Sequence, residues 1–373
     1  MRRRVFLNGA AMVIVSAASG GIDAAAAQGI ADVEDGPQCE PWKNWRGDPH
    51  EGPLALVRAA VLASNAFNAQ PWLFKVTRSR IELYADVKRN LGMFDPYLRE
   101  MHLSLGCALE NLMLAAAANG YRASLALLPH KLLPAPPNPR PELVARIELS
   151  AGEPAVSELY EAIPRRHTNR EPYDTGRALP SGFPDALVRL AAEEKQVRVF
   201  VFTGDSEREK IADIIDAAGK LNMADPDVRR GIQPWLRTSE QQTQALRDGE
   251  PAYRDPSMPP PLQPYKKLLL TARLFGVVAV RDRYDCEQAL RAGRIWQRAH
   301  LLATAQSLAA RVENSAVERI DHERRQNGEP RCAAQIAELT GDLRWQPTLM
   351  FYMGYPTIAA PIAARRPVAD VEL

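Results

Sequence analysis

The sequence contains an internal repeat, and this feature constrains the fold more than any other. The segment Ala55–Ala60 (ALVRAA) recurs as Ala186–Ala191 (ALVRLA), 131 residues further on. Each copy has the apolar spacing of a helix and is soon followed by a strand-like run, Trp72–Val76 in one case and Val197–Phe202 in the other. The same order of elements appears twice, so the chain is predicted to contain two related halves.

A second pair of elements follows in each half, an Ala/Leu-rich helical pattern and then a strand-like run. The predicted boundaries place the first half at residues 28–150 and the second half at residues 151–373. A proline-rich segment, Leu133–Pro141, is predicted to be a stiff connector between the halves, because repeated proline prevents helix formation. The helices and strands concerned are Leu105–Asn119, Val144–Leu149, Ile295–Ala310 and Thr348–Met353.

Composition excludes several classes of protein. The chain has 373 residues, of which 46% are apolar and 25% charged, as expected for a globular protein. Its 47 basic and 45 acidic residues nearly balance, and the three arginines and one aspartate of residues 1–27 account for the difference. The remainder is neutral, so there is no bulk electrostatic reason to expect binding to nucleic acid or anionic lipid.

No metal site and no disulfide framework is predicted. The cysteines are widely separated, no CxxC pair occurs, and the six histidines include no HExxH motif. Zinc sites and redox dithiols usually show such short spacings. The four cysteines are Cys39, Cys107, Cys286 and Cys332.

Residues 1–27 have the pattern of an export signal. Three arginines precede an apolar run, Ala10–Ala18, and Ala25–Ala27 suits a cleavage site. The run is too short to span a bilayer, so no stable membrane anchor is expected. Arg3–Asn8 (RRVFLN) resembles the twin-arginine export motif, and an ordinary secretory signal is the alternative. The pattern predicts a periplasmic or exported protein that uses the twin-arginine translocase during export.

A basic cluster, Arg165–Arg170 (RRHTNR), is the most informative motif in the chain. Guanidinium groups bind phosphate oxygens through paired hydrogen bonds, and a threonine hydroxyl donates one more. The cluster therefore suits an anion, although a solvated basic turn is the commoner role of such a run. Within it, His167 is either a ligand-facing residue or a solvent-facing spacer.

A second segment, Ser64–Trp72 (SNAFNAQPW), places two amides and an aromatic ring between a helix and a strand. Amide side chains both donate and accept hydrogen bonds. Asn68 and Gln70 therefore suit the edge of a heteroaromatic ring that presents C=O and N–H groups together. The alternative is a capped turn with Trp72 in the core.

Together the two segments resemble the signatures of the nitroreductase family of flavoproteins. Arg166, Thr168 and Arg170 stand in the matching places of the family's Arg-Arg-Ser-x-Arg-x-Phe motif. Asn68–Trp72 reproduces the end of its Pro-Ser-x-x-Asn-x-Gln-Pro-Trp motif, whose start differs here, with Ser64 in place of proline. The resemblance runs from about residue 53 to the C terminus. It is sharpest for the fused, twice-repeated branch typified by the Acg-like flavoproteins.

The resemblance implies an α+β, nitroreductase-like fold in which the two halves form a pseudo-dimer within one chain. Ordinary members bind flavin mononucleotide (FMN) at a subunit interface, with the arginine motif from one subunit and the Asn/Gln motif from the other. Here the second half carries the arginine motif, but its copy of the Asn/Gln motif has become Glu193–Gln196. The first half has only Arg46 before its first helix, so one FMN per chain is implied.

The same resemblance implies roles for individual residues. Arg166, Thr168 and Arg366 would bind the FMN phosphate, with Arg365 as a further candidate. Arg170 corresponds to the basic residue near flavin N1, where negative charge accumulates on reduction, and it is the residue implied to act in catalysis. Asp95, Arg99 and Arg294 are expected to form structural ion pairs. The implied cofactor-binding residues are Asn68, Gln70, Arg166, His167, Thr168, Arg170, Arg365 and Arg366.

The expected activity is that of an FMN-dependent oxidoreductase that transfers hydride through flavin N5 to a small nitroaromatic or quinone acceptor. The electron donor is not specified, and NAD(P)H is one candidate, because the family binds nicotinamide transiently without a glycine-rich motif. The alternative is an exported flavin-binding or flavin-sequestering protein with little turnover. This alternative rests on a proline-rich insertion at about residues 235–266, which is either a surface loop or a lid that covers the flavin face where substrates would stack.

Overall fold

The computed structural model describes residues 39–235, 265–360 and 362–373. The predicted export signal and residues 236–264 of the proline-rich insertion lie outside the described residues, so these two predictions stay open. The described chain contains eight strands in two sheets together with helices. The predicted α+β class is confirmed.

The first sheet consists of β1 (Trp72–Val76), β2 (Arg80–Ala85), β3 (Tyr121–Leu127) and β4 (Glu142–Ala151). Its strand order is β1-β2-β4-β3, and all neighbours are antiparallel. The second sheet consists of β5 (Val197–Phe202), β6 (Leu274–Val280), β7 (Ala309–Val312) and β8 (Gln346–Gly354). Its order, β5-β6-β8-β7, is again antiparallel and repeats the first-second-fourth-third arrangement. The repeat in the sequence is therefore matched by a repeated sheet topology.

The helices follow the same repeat, with additions in the second half. The described residues contain α1 (Glu40–Lys43), α2 (Leu54–Ala60), α3 (Arg99–Ala118), α4 (Glu158–Ala162), α5 (Phe183–Arg189), α6 (Asp205–Ala224), α7 (Pro226–Ile232), α8 (Tyr265–Leu269), α9 (Cys286–Ala305), α10 (Ser315–Arg325) and α11 (Arg331–Thr340). Helices α2 and α5 contain the repeated segment, and α3 and α9 are its long partners. Helices α6 to α8 lie between β5 and β6, and α10 and α11 lie between β7 and β8, so the second half is larger.

Helices α3 and α9, one from each half, pack against each other at two glycines. A Cβ atom on Gly106 would lie 2.2 Å from the Leu290 carbonyl oxygen, and one on Gly293 would lie 2.1 Å from that of Leu103. The backbones approach this closely only because neither position carries a side chain. Among the described residues, α3 is the one helix long and apolar enough to cross a membrane, and most of it is buried inside the protein.

The C-terminal segment of the second half returns to the first sheet. The Phe74 N–H donates to the Val371 carbonyl at 2.7 Å, and the Leu373 N–H donates to the Phe74 carbonyl at 2.8 Å. This pairing adds the chain end to the free edge of β1 in a parallel bridge. It also brings residues 364–366 to the loop that precedes β1.

Two sequence predictions are wrong in detail. The helix predicted at Ile295–Ala310 ends at Ala305, and Ala309–Val312 forms β7, because pairing with β8 overrides the helix preference of alanine. The proline-rich segment Leu133–Pro141 does not join the halves. It lies between β3 and β4, which pair with each other inside the first sheet.

Candidate functional site

The predicted Asn/Gln segment forms a tight loop between α2 and β1. Phe67, Asn68 and Gln70 have φ angles of 50°, 53° and 49°, in the left-handed region that residues other than glycine rarely adopt. The Gln70 N–H donates to Asn65 Oδ1 at 2.9 Å, which helps to hold this conformation. Backbone strain of this kind persists where surrounding contacts enforce it, and it is common at ligand sites.

The side chains of Asn68 and Gln70 bind the C-terminal segment. Asn68 Nδ2 donates to the Ala364 carbonyl at 2.9 Å, and Asn68 Oδ1 accepts a hydrogen bond from Arg365 Nη1 at 2.5 Å. Gln70 Oε1 accepts from the Arg366 N–H at 2.8 Å. Both amide side chains are buried. The structure thus brings both predicted amides together with both predicted C-terminal arginines.

Arg166 and Arg365 meet at the end of helix α2. Arg166 follows a short 3-10 turn, and its Nη2 donates to the Leu62 carbonyl at 3.1 Å. Arg365 Nη2 donates to the carbonyl of the next residue, Ala63, at 3.3 Å. The two arginines come from the second half, and the carbonyl groups come from the first.

This pair of guanidinium groups is buried without compensating negative charge. Arg166 is 2% exposed and Arg365 is 3% exposed. Burial lowers the pKa of Arg166 to about 10. Burial lowers the pKa of Arg365 well below its usual range, and the positive charge of Arg166 lowers it further. Among the described residues, no carboxylate raises either pKa.

Several N–H groups of the two arginines lack hydrogen-bond acceptors. Nε and Nη1 of Arg166 and Nε of Arg365 are buried and have no acceptor within the described chain. Buried polar groups are almost always hydrogen bonded, and unpaired ones are explained by strain, by a functional role, or by a water or ion that completes the site. The arrangement therefore suits an anion that carries several oxygen atoms.

His167 is half-buried and its ring packs against Trp42. Its ring is 4.7 Å from the ring of Trp42, and its backbone carbonyl accepts a hydrogen bond from His300 Nε2 at 3.2 Å. Burial lowers the pKa of His167 to about 3, and the charges of Arg166 and Arg365 add to this effect. His167 is therefore neutral at ordinary pH and adds no further charge to the arginine pair.

The rest of the arginine motif runs along the second sheet. Thr168 forms a parallel bridge with Ala310 of β7, and the Asn169 N–H donates to the Ala310 carbonyl at 3.3 Å. Burial raises the pKa of Tyr352 on β8, and the positive charge of Arg170 is among the effects that oppose this rise. The motif therefore places Arg166 at the end of α2 and Arg170 on the side of β8.

The two C-terminal arginines differ in their surroundings. Arg366 Nη1 lies 3.4 Å from the Gln70 carbonyl oxygen and 4.0 Å from Asp86 Oδ2, and its Nη2 donates to the Asp370 carbonyl. Burial lowers the pKa of Arg366, and Asp86 opposes this effect. The structure places Arg365, and not Arg366, beside Arg166.

A buried polar network that the sequence does not reveal supports this region from α3 and α9. The Ser64 N–H donates to Gln297 Oε1 at 3.2 Å, and Gln297 Nε2 donates to Asn111 Oδ1 at 2.8 Å. Asn111 Nδ2 in turn donates to the Ala59 carbonyl at 2.8 Å. The only sign of this network in the sequence is an amide residue within the apolar pattern of each long helix, Asn111 in α3 and Gln297 in α9. Its members lie far apart in the chain.

The predicted structural ion pairs form for two of the three residues named. Arg99 Nε lies 2.8 Å from Asp321 Oδ2, and Arg294 Nε lies 2.8 Å from Glu110 Oε2. Asp95 instead accepts a hydrogen bond from the Met101 N–H, in the first turn of α3, at 3.0 Å. Burial, followed by the charge of Glu100, raises the pKa of Asp95 to about 7.

Comparison with known proteins points to one group of enzymes. No protein-family profile matches the chain. Two proteins from strains of Mycobacterium tuberculosis, both provisionally named as NAD(P)H nitroreductases, are 32% identical over 119 residues. The chain is similar to nitroreductases. The aligned part covers 32% of this chain and 33% of each relative, so the chain matches about a third of the length of these curated relatives.

A comparison with solved structures also returned proteins named as nitroreductases and an NADPH:FMN oxidoreductase. A provisionally named nitroreductase from Anabaena variabilis is 12% identical with a TM-score of 0.46, and covers 79% of this chain and 82% of its own. A nitroreductase with bound FMN from Desulfitobacterium hafniense is 15% identical with a TM-score of 0.37, covering 58% and 97%. The NADPH:FMN oxidoreductase of Vibrio harveyi, solved with NAD+, is 12% identical with a TM-score of 0.34, covering 57% and 74%.

Proposed function

We propose that this protein is an FMN-dependent oxidoreductase of the nitroreductase type, with FMN bound between its two halves. The observation that carries this proposal is the buried pair of Arg166 and Arg365, whose unbonded N–H groups face no carboxylate among the described residues. Buried cations without a counter-charge are costly, and a bound anion would offset that cost. The FMN phosphate is the anion of the cofactor to which the motifs correspond.

The residues present fit a phosphate in number and type. Arg166 offers Nε and Nη1, and Arg365 offers Nε. Thr168, two residues after Arg166, supplies a hydroxyl donor. Charge-assisted hydrogen bonds from guanidinium to phosphate are stronger than neutral ones. In this assignment Arg365 takes the role first predicted for Arg366, because Arg366 already bonds to Gln70 and lies near Asp86.

A single FMN site per chain is supported by the residues at the positions where the repeat would place a second arginine motif and a second Asn/Gln motif. Arg46, the only arginine just before the first repeated helix, lies 2.6 Å from Glu161 and packs 4.5 Å from the Trp45 ring, so its charge is paired. In the segment that replaces the second Asn/Gln motif, Glu194 lies 2.9 Å from Arg291. A second site would need an unpaired arginine at the first position and amide side chains at the second. Each position is instead occupied by a residue in an ion pair. We propose that the halves form a pseudo-dimer with one remaining cofactor site.

Bound FMN would supply N5, the atom that accepts and donates hydride. The chain's own residues would bind and orient the cofactor and set the local charge. Arg170 would hold a fixed positive charge on the β8 side. Asn68 and Gln70 would keep the strained loop and the C-terminal segment together, so that Arg365 stays beside Arg166. His167 would remain neutral and would pack Trp42 against the site.

The donor, the acceptor and the location are further parts of the proposal. NAD(P)H is proposed as the electron donor because the names of the curated relatives include it. A small nitroaromatic or quinone is proposed as the acceptor. Export through the twin-arginine translocase rests on the pattern of residues 1–27 alone.

The test is to measure the flavin content and turnover of the purified protein. We expect FMN and not FAD, one equivalent per chain, with reduction by NAD(P)H under anaerobic conditions and reoxidation by a nitroaromatic or quinone acceptor. A protein with no affinity for FMN would overturn the proposal, and two tightly bound FMN molecules would overturn the pseudo-dimer. Binding of FMN with no reduction by any donor would favour the flavin-sequestering alternative.

A further inference from the structure

Three residues with metal-binding side chains meet at a place remote from the arginine pair. They are His102 in the first turns of α3, His130 after β3, and Cys286 at the first position of α9. One ligand atom of each lies within 4.8 Å of those of the other two. The rings of His102 and His130 meet edge to face with centroids 5.5 Å apart. The sequence predicted no metal site, because the three residues are far apart in the chain.

Backbone pairing fixes the position of this His/His/Cys cluster. The Cys286 N–H donates to the His130 carbonyl at 3.0 Å, and the Leu132 N–H donates to the Tyr284 carbonyl at 2.7 Å. Between these bonds, Lys131 and Asp285 form an antiparallel bridge. The segment after β3 in the first half is thus attached directly to the start of α9 in the second half.

The ring of His102 is oriented so that one nitrogen is free to ligate a metal ion. His102 is 1% exposed, and its Nδ1 lies 2.7 Å from the Leu98 carbonyl oxygen, which can only accept, so Nδ1 carries the hydrogen. His102 Nε2 therefore has a lone pair, and it is buried without a hydrogen-bond partner. A backbone carbonyl that holds the other ring nitrogen is typical of a metal-ligating histidine.

Three carboxylates lie near the cluster, and two of them are already paired with basic side chains, Asp285 with Lys131 and Glu287 with Arg291. Glu142 Oε1 lies 3.3 Å from His130 Nε2 without forming a hydrogen bond. Burial raises the pKa of the Cys286 thiol, and the charges of Glu142, Asp285 and Glu287 raise it further, so an ion that binds here must displace the thiol proton. The His130 side chain is 27% exposed and that of Glu142 is 46% exposed, so an ion can reach the cluster from solvent.

We infer that His102, His130 and Cys286 form a binding site for Zn(II) or a divalent ion of the same class, held against the Glu142 carboxylate. Imidazole and thiolate are the preferred ligands of this class. Zinc bonds of about 2.0–2.3 Å place ligand atoms roughly 3.5 Å apart, so binding from separations of up to 4.8 Å draws the cluster together by up to about 1.3 Å. The ion would link the first half to the start of α9 and would stabilise the contact between the halves.

The test is a titration of the metal-free full chain with Co(II), an optical probe for zinc sites, in the absence of flavin. We expect one equivalent of Co(II) to produce thiolate-to-cobalt charge-transfer absorption in the near ultraviolet, and Zn(II) to remove it by displacement. Zn(II) should also raise the melting temperature, because it binds only the folded chain. Absence of the absorption band in the unmodified protein would overturn the inference, whatever the behaviour of any variant.

Variants then assign the ligands. Cys286→Ala should lose the charge-transfer band, and Cys332→Ala, which removes another buried cysteine, should keep it. Glu142→Gln should keep the band and weaken metal affinity about 10- to 100-fold, as for other carboxylates that position a ligating histidine. A band that persists in Cys286→Ala, or that is lost in folded Cys332→Ala, would contradict the assignment. Flavin binding plays no part in these readouts, so failure of the FMN proposal would leave them unchanged.

Discussion

Arg166 and Arg365 donate to the carbonyl oxygens of two consecutive residues, at 3.1 Å for Leu62 and 3.3 Å for Ala63. This arrangement holds two positive charges together in a buried site, and removing a charge from water costs several kcal/mol unless it is compensated. The folded chain tolerates this cost because the two carbonyl groups partly compensate both cations. A phosphate group would compensate them more fully, so the site is organised before its ligand binds.

Arg170 is expected to tune the redox potential of bound FMN more than its affinity. A fixed cation near the ring interacts more strongly with the reduced flavin, which carries more negative charge, than with the oxidised flavin. If the difference is about 1–3 kcal/mol, Arg170→Gln lowers the two-electron midpoint potential by about 20–65 mV. A dye-coupled potentiometric titration at saturating FMN measures this shift.

The matched control is Arg165→Gln, which removes an exposed arginine from the same motif. Its midpoint potential should equal that of the unmodified protein. A change of less than about 10 mV in Arg170→Gln, which is well under the shift expected from a charge-assisted hydrogen bond, would show that Arg170 does not lie near the ring.

Gly106→Ala should destabilise the contact between the two halves. The new Cβ would lie 2.2 Å from the Leu290 carbonyl oxygen, so helices α3 and α9 must separate. Overpacking of this kind lowers the free energy of unfolding by about 1–3 kcal/mol. Gly328→Ala is the control, since its Cβ would meet only the Glu323 backbone, nearest at 3.5 Å. Equal urea midpoints for the two variants would mean that the glycine contact does not matter for stability.

His167 should make the protein less stable as the pH falls. Burial lowers its pKa to about 3 in the folded chain. Between that value and the ordinary value of about 6.5, the unfolded chain binds a proton that the folded chain does not. Acidification therefore favours unfolding, and the contribution of His167 falls by roughly 2 kcal/mol between about pH 7 and about pH 5.

The measurement compares urea unfolding of the unmodified protein and His167→Gln at both pH values. The variant should lose less stability on acidification. Asp95, whose pKa burial raises to about 7, acts in the opposite direction, but it does so in both proteins and cancels in the difference. Identical pH dependence in the two proteins would show that His167 becomes protonated in the folded state.

Elements of the fold were predicted correctly where the secondary-structure preference of a segment matches the element that it forms in the folded chain. The runs Trp72–Val76 and Val197–Phe202 are strands β1 and β5 with the predicted bounds, because their apolar, β-favouring residues suit a half-buried sheet. Strand β7 was missed, since Ala309–Val312 contains two alanines and follows a helix without a proline or glycine. This strand is specified by backbone pairing with β8 and with Thr168 and Asn169, and partners so distant in sequence leave no local signal.

The sequence named the residues of the candidate site but not how they are arranged. Both arginines of the buried pair were named, but the choice between Arg365 and Arg366 depends on how the chain end pairs with Phe74. The burial of His167 depends on Trp42, which lies more than a hundred residues away. The His/His/Cys cluster joins three elements without a short spacing, so motif searches could not find it. In each case the missing information is a long-range contact.

The most direct test of the central claim compares FMN with riboflavin, which lacks only the phosphate. The unmodified protein should bind FMN much more tightly than riboflavin. Arg166→Ala and Arg365→Ala should each weaken FMN binding by about 10- to 150-fold, as expected for loss of a charge-assisted contact of about 1.5–3 kcal/mol, and leave riboflavin affinity nearly unchanged. Arg46→Ala should change neither affinity. Equal affinity of the unmodified protein for FMN and riboflavin would show that the buried pair is not a phosphate site. The same conclusion would follow if Arg166→Ala and Arg365→Ala both fold and both keep the full preference for FMN.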